Sequence, residues 1–220
     1  MNDLRRHGSL LYITDSGSGG IIIHDLATGQ TRRRLSGQAV MKATPGRVPD
    51  VLAHVQGNKP FRPPNSDLIE VTADGRWLYW AAPTGPLRRV ETRHLLDPRM
   101  SDDALVQHVQ HVFDNSFSGG CAMDSAGNFY FCETEGGRVT LLAPDGRTAT
   151  LVSDPALLRP DGGFISADRR LYLPVKRLVQ QGDGDKFYAI YAISLPDSFE
   201  GLALGGPVTG AWHSQKGDLR

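Results

Sequence analysis

The chain has 220 residues, and its 24 basic and 24 acidic side chains leave a formal net charge of zero. That balance gives no electrostatic reason to expect nucleic acid or an acidic membrane as a partner. No apolar run approaches the ~18 residues of a membrane helix, no signal peptide opens the sequence, and 25 glycines with 14 prolines suit a turn-rich all-β domain.

The first predicted strand is Leu10–Thr14, followed by a hairpin of Ile21–Asp25 and Thr31–Leu35 that turns at Ala-Thr-Gly-Gln. The glycine cluster between Asp15 and Gly20 precedes a strand, whereas a phosphate-binding loop needs a helix N-terminus after it. It is therefore read as a turn. Arg32-Arg33-Arg34 is read as a solvated strand edge that discourages strand addition. Residues 36–65 hold five prolines and little periodicity, which predicts an extended loop with one edge strand at Val51–Gln56.

Strands resume at Leu68–Thr72, Trp77–Ala81 and Leu87–Val90. A short helix is expected next, capped by Ser101, with Asp102 and Asp103 in its first turn, and running through Val112. His108 and His111 lie three apart on it; with no third ligand nearby in sequence they are read as a solvated face.

The segment from Ser118 to Asp154 predicts four strands: Cys121–Asp124 and Asn128–Glu133 around Ser-Ala-Gly, then Arg138–Leu142 and Thr148–Val152 around Pro-Asp-Gly. Its two cysteines, Cys121 and Cys132, fall on the two arms of one hairpin, as buried thiols or as a disulfide. Asp161–Ser166, Arg170–Pro174 and Phe187–Ser194 complete the strands. Gly182-Asp-Gly-Asp185 lacks the spaced acids and closing Glu of a calcium loop and is read as a loop tip. From Leu195 the sequence reads as a polar tail, placed at 197–220.

An apolar-Tyr pair recurs through these strands: Leu11-Tyr12, Leu78-Tyr79, Phe129-Tyr130 and Leu171-Tyr172. The last two intervals, 51 and 42 residues, fit the ~40–50 residues of a propeller blade, and the first needs the 36–65 insertion. Four-strand meanders at this spacing hide their faces only by stacking on one another. The expected fold is an all-β propeller over residues 1–196, with about four blades starting near 1, 66, 118 and 161.

With the blades in place, the sequence resembles the major royal jelly protein/Yellow family, specifically its bacterial members. The resemblance is carried by residues 2–35, by SDLIEVTADGRWLYW, by the blade from Ser118, by RPDGGFISADRRLYL and by FYAIYAISLPDS. It implies a six-bladed propeller with a ligand cavity at one end of its axial channel, and a secreted, extracellular or periplasmic location. Family chains are longer at the N-terminus, so this sequence is expected to begin at the third blade. It is then a fragment, a mis-started reading frame, or a chain whose bare blade faces associate with another copy.

The family is distantly similar to the gluconolactonase/senescence marker protein propellers, which use a divalent cation to hydrolyse lactones. In a propeller the innermost strands start at one channel mouth, which places Asn2, Asp3, Ser66, Asp67, Ser118, Gly119 and Asp161 there. Converging oxygen ligands of this kind suit calcium, and Asn2, Asp67 and Asp161 are the candidate metal ligands. The lactonase pattern puts a metal- or substrate-contacting amide at Asn2, an asparagine ligand at the position of Asp67 and an essential aspartate at the position of Gly119. The last substitution removes the carboxylate, and the glutamate ligand belongs to a blade this chain lacks.

Asp67 and Asp161 have an alternative role, as caps of tight turns through their own backbone amides. Tyr79, Trp80 and Tyr130 are expected either to line an aromatic pocket for amines or to pack between blades. The expected function is small-molecule binding at the channel mouth, with no catalytic residue assigned. Should the chain be catalytic, the resemblance implies lactone hydrolysis, or the dopachrome conversion linked to insect Yellow proteins.

Overall fold

The computed structural model describes residues 1–45, 47–49, 61–157, 159–177 and 187–208. The expected edge strand at 51–56 and the loop tip at 182–185 lie outside the described residues. The first sheet is a meander of β1 (Leu4–His7), β2 (Leu10–Thr14), β3 (Ile21–Asp25) and β4 (Thr31–Arg34). The second contains β5 (Leu68–Val71), β6 (Trp77–Ala81), β7 (Leu87–Glu91) and β8 (Gln110–Phe113). The third contains β9 (Ser118–Met123), β10 (Phe129–Glu133), β11 (Arg138–Leu142) and β12 (Thr148–Ser153). A three-stranded sheet of β13 (Phe164–Ile165), β14 (Arg170–Arg177) and β15 (Phe187–Ser194) follows. All four are antiparallel, with neighbours in chain order, and are four blades of a β-propeller.

The recurring apolar-Tyr pair has a packing explanation. Successive residues of a strand point to opposite faces, so one member of each pair meets the preceding blade and the other the next. Leu78 packs with Tyr12, Ile21 and Ile23 of the first blade. Tyr79 and Phe129 meet in the core between the second and third blades. Tyr130 and Leu171 do the same between the third and fourth. Three layers of buried side chains thus alternate with four sheets, and the innermost strands β1, β5, β9 and β13 stand side by side.

The helix expected from Ser101 through Val112 is cut short. Thr92–Leu96 forms α1 and Asp102–Val106 forms α2, whose cap is as expected: the Ser101 hydroxyl accepts from the Ala104 amide at 3.2 Å. Gln110–Phe113 leaves the helix because β7 needs an outer partner, and Leu87 pairs with Phe113 and Arg88 with His111. The two histidines therefore share no helix face. His108 stacks on His94 with ring centroids 4.1 Å apart, and His111 pairs with Asp114 at 3.4 Å.

The arginine run is not a solvated edge. Arg32 donates to the carbonyl of Leu96 at 2.8 Å, and buried Arg34 to those of Asp97 and Met100 at 3.1 and 2.8 Å. Arg34 also pairs with Asp102. Alternate residues of β4 thus hold the α1–α2 connection against the first blade, while Arg33 binds Asp15 and Ser18.

Within the expected tail, the described residues 195–208 are packed. Ser198–Phe199 (β16) pairs with Leu202–Ala203 (β17), and Leu195, Leu202 and Leu204 are buried against the third and fourth blades. Buried Asp124 anchors it, accepting from the Gly205 amide at 2.8 Å, the Asn128 side-chain amide at 2.7 Å and the Tyr130 hydroxyl at 2.9 Å.

Candidate functional site: an acidic mouth on an axial cleft

The innermost strands enclose an axial cleft of about 1290 Å³. Asn2, Asp3, Asp67, Gly119 and Asp161 line it, as the strand starts require, and they come from all four blades. Thr14 locks two of these starts together. Its hydroxyl accepts from the Asp3 amide at 3.0 Å and donates to the Asp67 carbonyl at 3.1 Å. Beyond them the wall is mixed: Leu68, Ala122, Met123, Phe164 and Val208 are apolar, and Arg5, Arg6, His7 and Glu70 line the same cleft.

The three carboxylates differ in their partners. Asp3 accepts from the Leu4 amide at 2.8 Å and from Arg5 at 2.7 Å. Asp161 accepts from the Gly162 amide at 2.8 Å, so its turn-capping role is realised. Asp67 receives no side-chain hydrogen bond among the described residues. Burial, and after it the charges of Asp161 and Asp3, push its carboxyl up to about 7.

Deeper in the cleft, Arg5 donates to Glu70 at 2.7 Å, and both side chains are largely buried. Burial raises the Glu70 carboxyl, and the guanidinium beside it pulls only part of the way back. The Cys121 thiol lies 3.9 Å from the same carboxylate, and burial, then that charge, hold it well above the usual thiol range. Sequence reasoning missed Arg5, Thr14 and Glu70. The one available signal was an acid inside the otherwise apolar LIEV of β5, where a carboxylate needs a partner to be buried.

Five residues singled out in the sequence lie elsewhere. Ser66 is buried and donates to the carbonyl of Met41 at 2.9 Å, and buried Ser118 donates to that of Ser116 at 2.9 Å. Both hydroxyls serve the turns that lead into their strands. Tyr79 packs on Phe129, its hydroxyl accepting from Arg89 at 3.0 Å, and buried Tyr130 donates to Asp124. Trp80 is buried between the first and second blades. These rings are interblade packing and line no aromatic pocket on the axis.

Gly119 and Gly120 have a steric explanation. A Cβ on Gly119 would stand 2.3 Å from the carbonyl oxygen of Pro160, and one on Gly120 2.3 Å from the Gly162 backbone. The fourth blade approaches the third by backbone contact here, which only glycine permits. Position 119 thus carries no carboxylate and has no space for one. Among the described residues no three His, Cys, Asp or Glu side chains stand close enough to hold one metal ion. This donor set does not fit the lactonase arrangement.

The cysteines do not face each other. Cys121 pairs with Phe131 and Cys132 with Gly120, so the thiols lie on opposite faces of the third blade, and both are free and buried. Burial pushes the Cys132 thiol up to about 12.

Among solved structures, regucalcin from Agrobacterium tumefaciens, described as a calcium-binding protein, is similar with a TM-score of 0.53 and 17% identity over 82% of this chain and 55% of its own. Hydrazine synthase of Kuenenia stuttgartiensis is similar with a TM-score of 0.52 and 13% identity over 85% and 43%. A streptogramin B lyase matches with a TM-score of 0.50 and 12% identity over 89% and 54%. At these identities the likeness is one of fold, and the chain spans about half the length of each. No curated protein matches the sequence. No helix among the described residues is long and apolar enough to cross a membrane. The major royal jelly protein family model matches residues 2–147, about two thirds of the sequence, spanning the first two blades and the first three strands of the third, and the chain belongs to that family.

Proposed function

We propose that this chain binds a small organic molecule at the mouth of its axial cleft and does not transform it. The observation that carries the reading is the convergence of Asp3, Asp67 and Asp161 on a cleft of about 1290 Å³, with Asp67 lacking a donor of its own. Arg5 is engaged by Asp3 and Glu70, and Asp67 and Asp161 beside the apolar Leu68, Ala122, Met123 and Phe164 favour a ligand with one positive group and an apolar body. The cleft is far larger than a metal ion needs, and a cationic group beside Asp67 would favour the charged form of the carboxyl that burial holds up at about 7. We favour this over metal-dependent lactone hydrolysis because position 119 offers no carboxylate. We further propose that the protein works outside the cytoplasm, in keeping with the secretion of its family.

Calorimetric titration with tyramine as the cationic probe tests the reading. Wild-type protein is expected to bind it without added metal, and Asp67→Asn to weaken binding about tenfold, as loss of one partly buried charge partner does. Absence of binding, or equal affinity in the two proteins, would overturn it. Calcium-dependent release of acid from gluconolactone would favour the hydrolase instead.

A further inference from the structure

The charges that line the axial cleft are ordered along it. The innermost strands β1, β5, β9 and β13 all start at the acidic mouth, so their later residues lie toward the far end. Asp67 and Asp161 stand at the mouth. Arg5 comes next, and Asp3 and Glu70 neutralise it, each accepting from its guanidinium at 2.7 Å. Among the described residues, the lining past that cluster holds Arg6 and His7 of β1 and no further acid. Apolar Leu68, Ala122 and Phe164 line the length between the two ends.

Both basic side chains have a defined place at the far end. The His7 ring rests on the backbone of Gly75, where a Cβ would stand 2.2 Å from it, so only glycine lets the ring lie there. Arg6 donates from Nε to the Gly8 carbonyl at 2.8 Å, which holds the guanidinium without neutralising its charge. Neither side chain pairs with a carboxylate among the described residues.

We propose that the ligand of this cleft is bipolar, with a cationic group at Asp67 and Asp161, a carboxylate at Arg6 and His7, and an apolar chain between them. The inference rests on the reading of the mouth as a cation site and adds an opposite end to it. Arg6 and His7 follow Asp3 by three and four residues on β1, so the two ends lie about 10–13 Å apart along an extended strand. An α-amino acid is too short to reach both. The planar fork of a guanidinium suits a carboxylate. A bipolar molecule entering the other way round would meet like charge at both ends, so the order of charges also fixes its direction.

Calorimetric titration with two probes of equal chain length tests the proposal, at pH 8, where the Asp67 carboxyl is charged. Octylamine carries the cation alone, and 8-aminooctanoate in its extended form puts its two charges about 10 Å apart. Wild-type protein is expected to bind the amino acid about tenfold more tightly than the amine, as one charge-assisted contact at a partly exposed site contributes. Arg6→Gln, at an exposed position, should bring the amino acid down to the affinity of the amine and change that of the amine little. The shorter 4-aminobutanoate should show no such gain over butylamine. Asp67→Asn should weaken octylamine and 8-aminooctanoate alike, which tests the cation end by itself. Octylamine binding that depends on Asp67, with no gain from the carboxylate, would overturn the bipolar reading and leave the cation site standing. A gain that survives Arg6→Gln would overturn it too, and binding of neither probe would overturn both readings.

Discussion

Arg5 of β1 donates to Glu70 of β5 at 2.7 Å, across the boundary between the first two blades and inside the axial cleft. The pair joins residues 65 apart in sequence, and Asp3 binds the same guanidinium at 2.7 Å. Removing Glu70 still leaves Arg5 with Asp3, whereas removing Arg5 leaves the buried Glu70 without a cation. Arg5→Met should therefore cost about 3 kcal/mol, and the double variant Arg5→Met/Glu70→Leu should regain most of that loss. Urea unfolding of the three proteins checks this, and a near-neutral Arg5→Met would show the pair to be solvated.

Asp67 makes stability depend on pH in an unusual direction for a carboxylate. Its folded value of about 7 exceeds the ordinary 3.8. Between these values the folded state holds a proton the unfolded state has released, so stability falls as pH rises through the window and levels off above 7. Asp67→Asn should remove this dependence and stabilise the protein by roughly 1–2 kcal/mol at pH 8, with little effect at pH 4. Thermal melts of the two proteins across pH 4–8 provide the comparison, and parallel curves would refute the assignment.

Gly119→Asp restores a carboxylate where the lactonase pattern has one. The new Cβ would meet the Pro160 carbonyl at 2.3 Å, so β9 or the 160–162 segment must shift. The variant should lose about 3 kcal/mol or more and gain no lactonase activity. Unaltered stability would mean that the third and fourth blades separate easily here.

The two thiols should be inert in the folded protein. Both are fully buried and raised by that burial, and their side chains lie on opposite faces of one sheet. A thiol-reactive chromogen should titrate neither in native buffer and both in denaturant. Rapid native labelling, or a 121–132 disulfide under mild oxidation, would contradict the register of β9 on β10.

The propeller was legible because its signal is local and repeated. The strand ranges at Leu10–Thr14, Ile21–Asp25, Trp77–Ala81, Arg138–Leu142 and Phe187–Ser194 match the sequence reading residue for residue. What sequence could not supply was the identity of a residue's neighbour across blades. Arg34 looked solvated until the α1–α2 connection packed over it, and Gln110–Phe113 looked helical until β7 claimed it as a partner. Position along a strand placed Asp3, Asp67 and Asp161 at the mouth. The same logic misplaced Ser66 and Ser118, because one residue of offset turns a side chain from the axis into the protein.

Amide hydrogen exchange with and without tyramine tests most directly whether the axial cleft is the ligand site. Protection is predicted to rise at residues 2–5, 67–71 and 161–165, with the exposed fourth-blade face around Tyr188 unchanged. Protection confined to that face, or none anywhere at saturating amine, would contradict it.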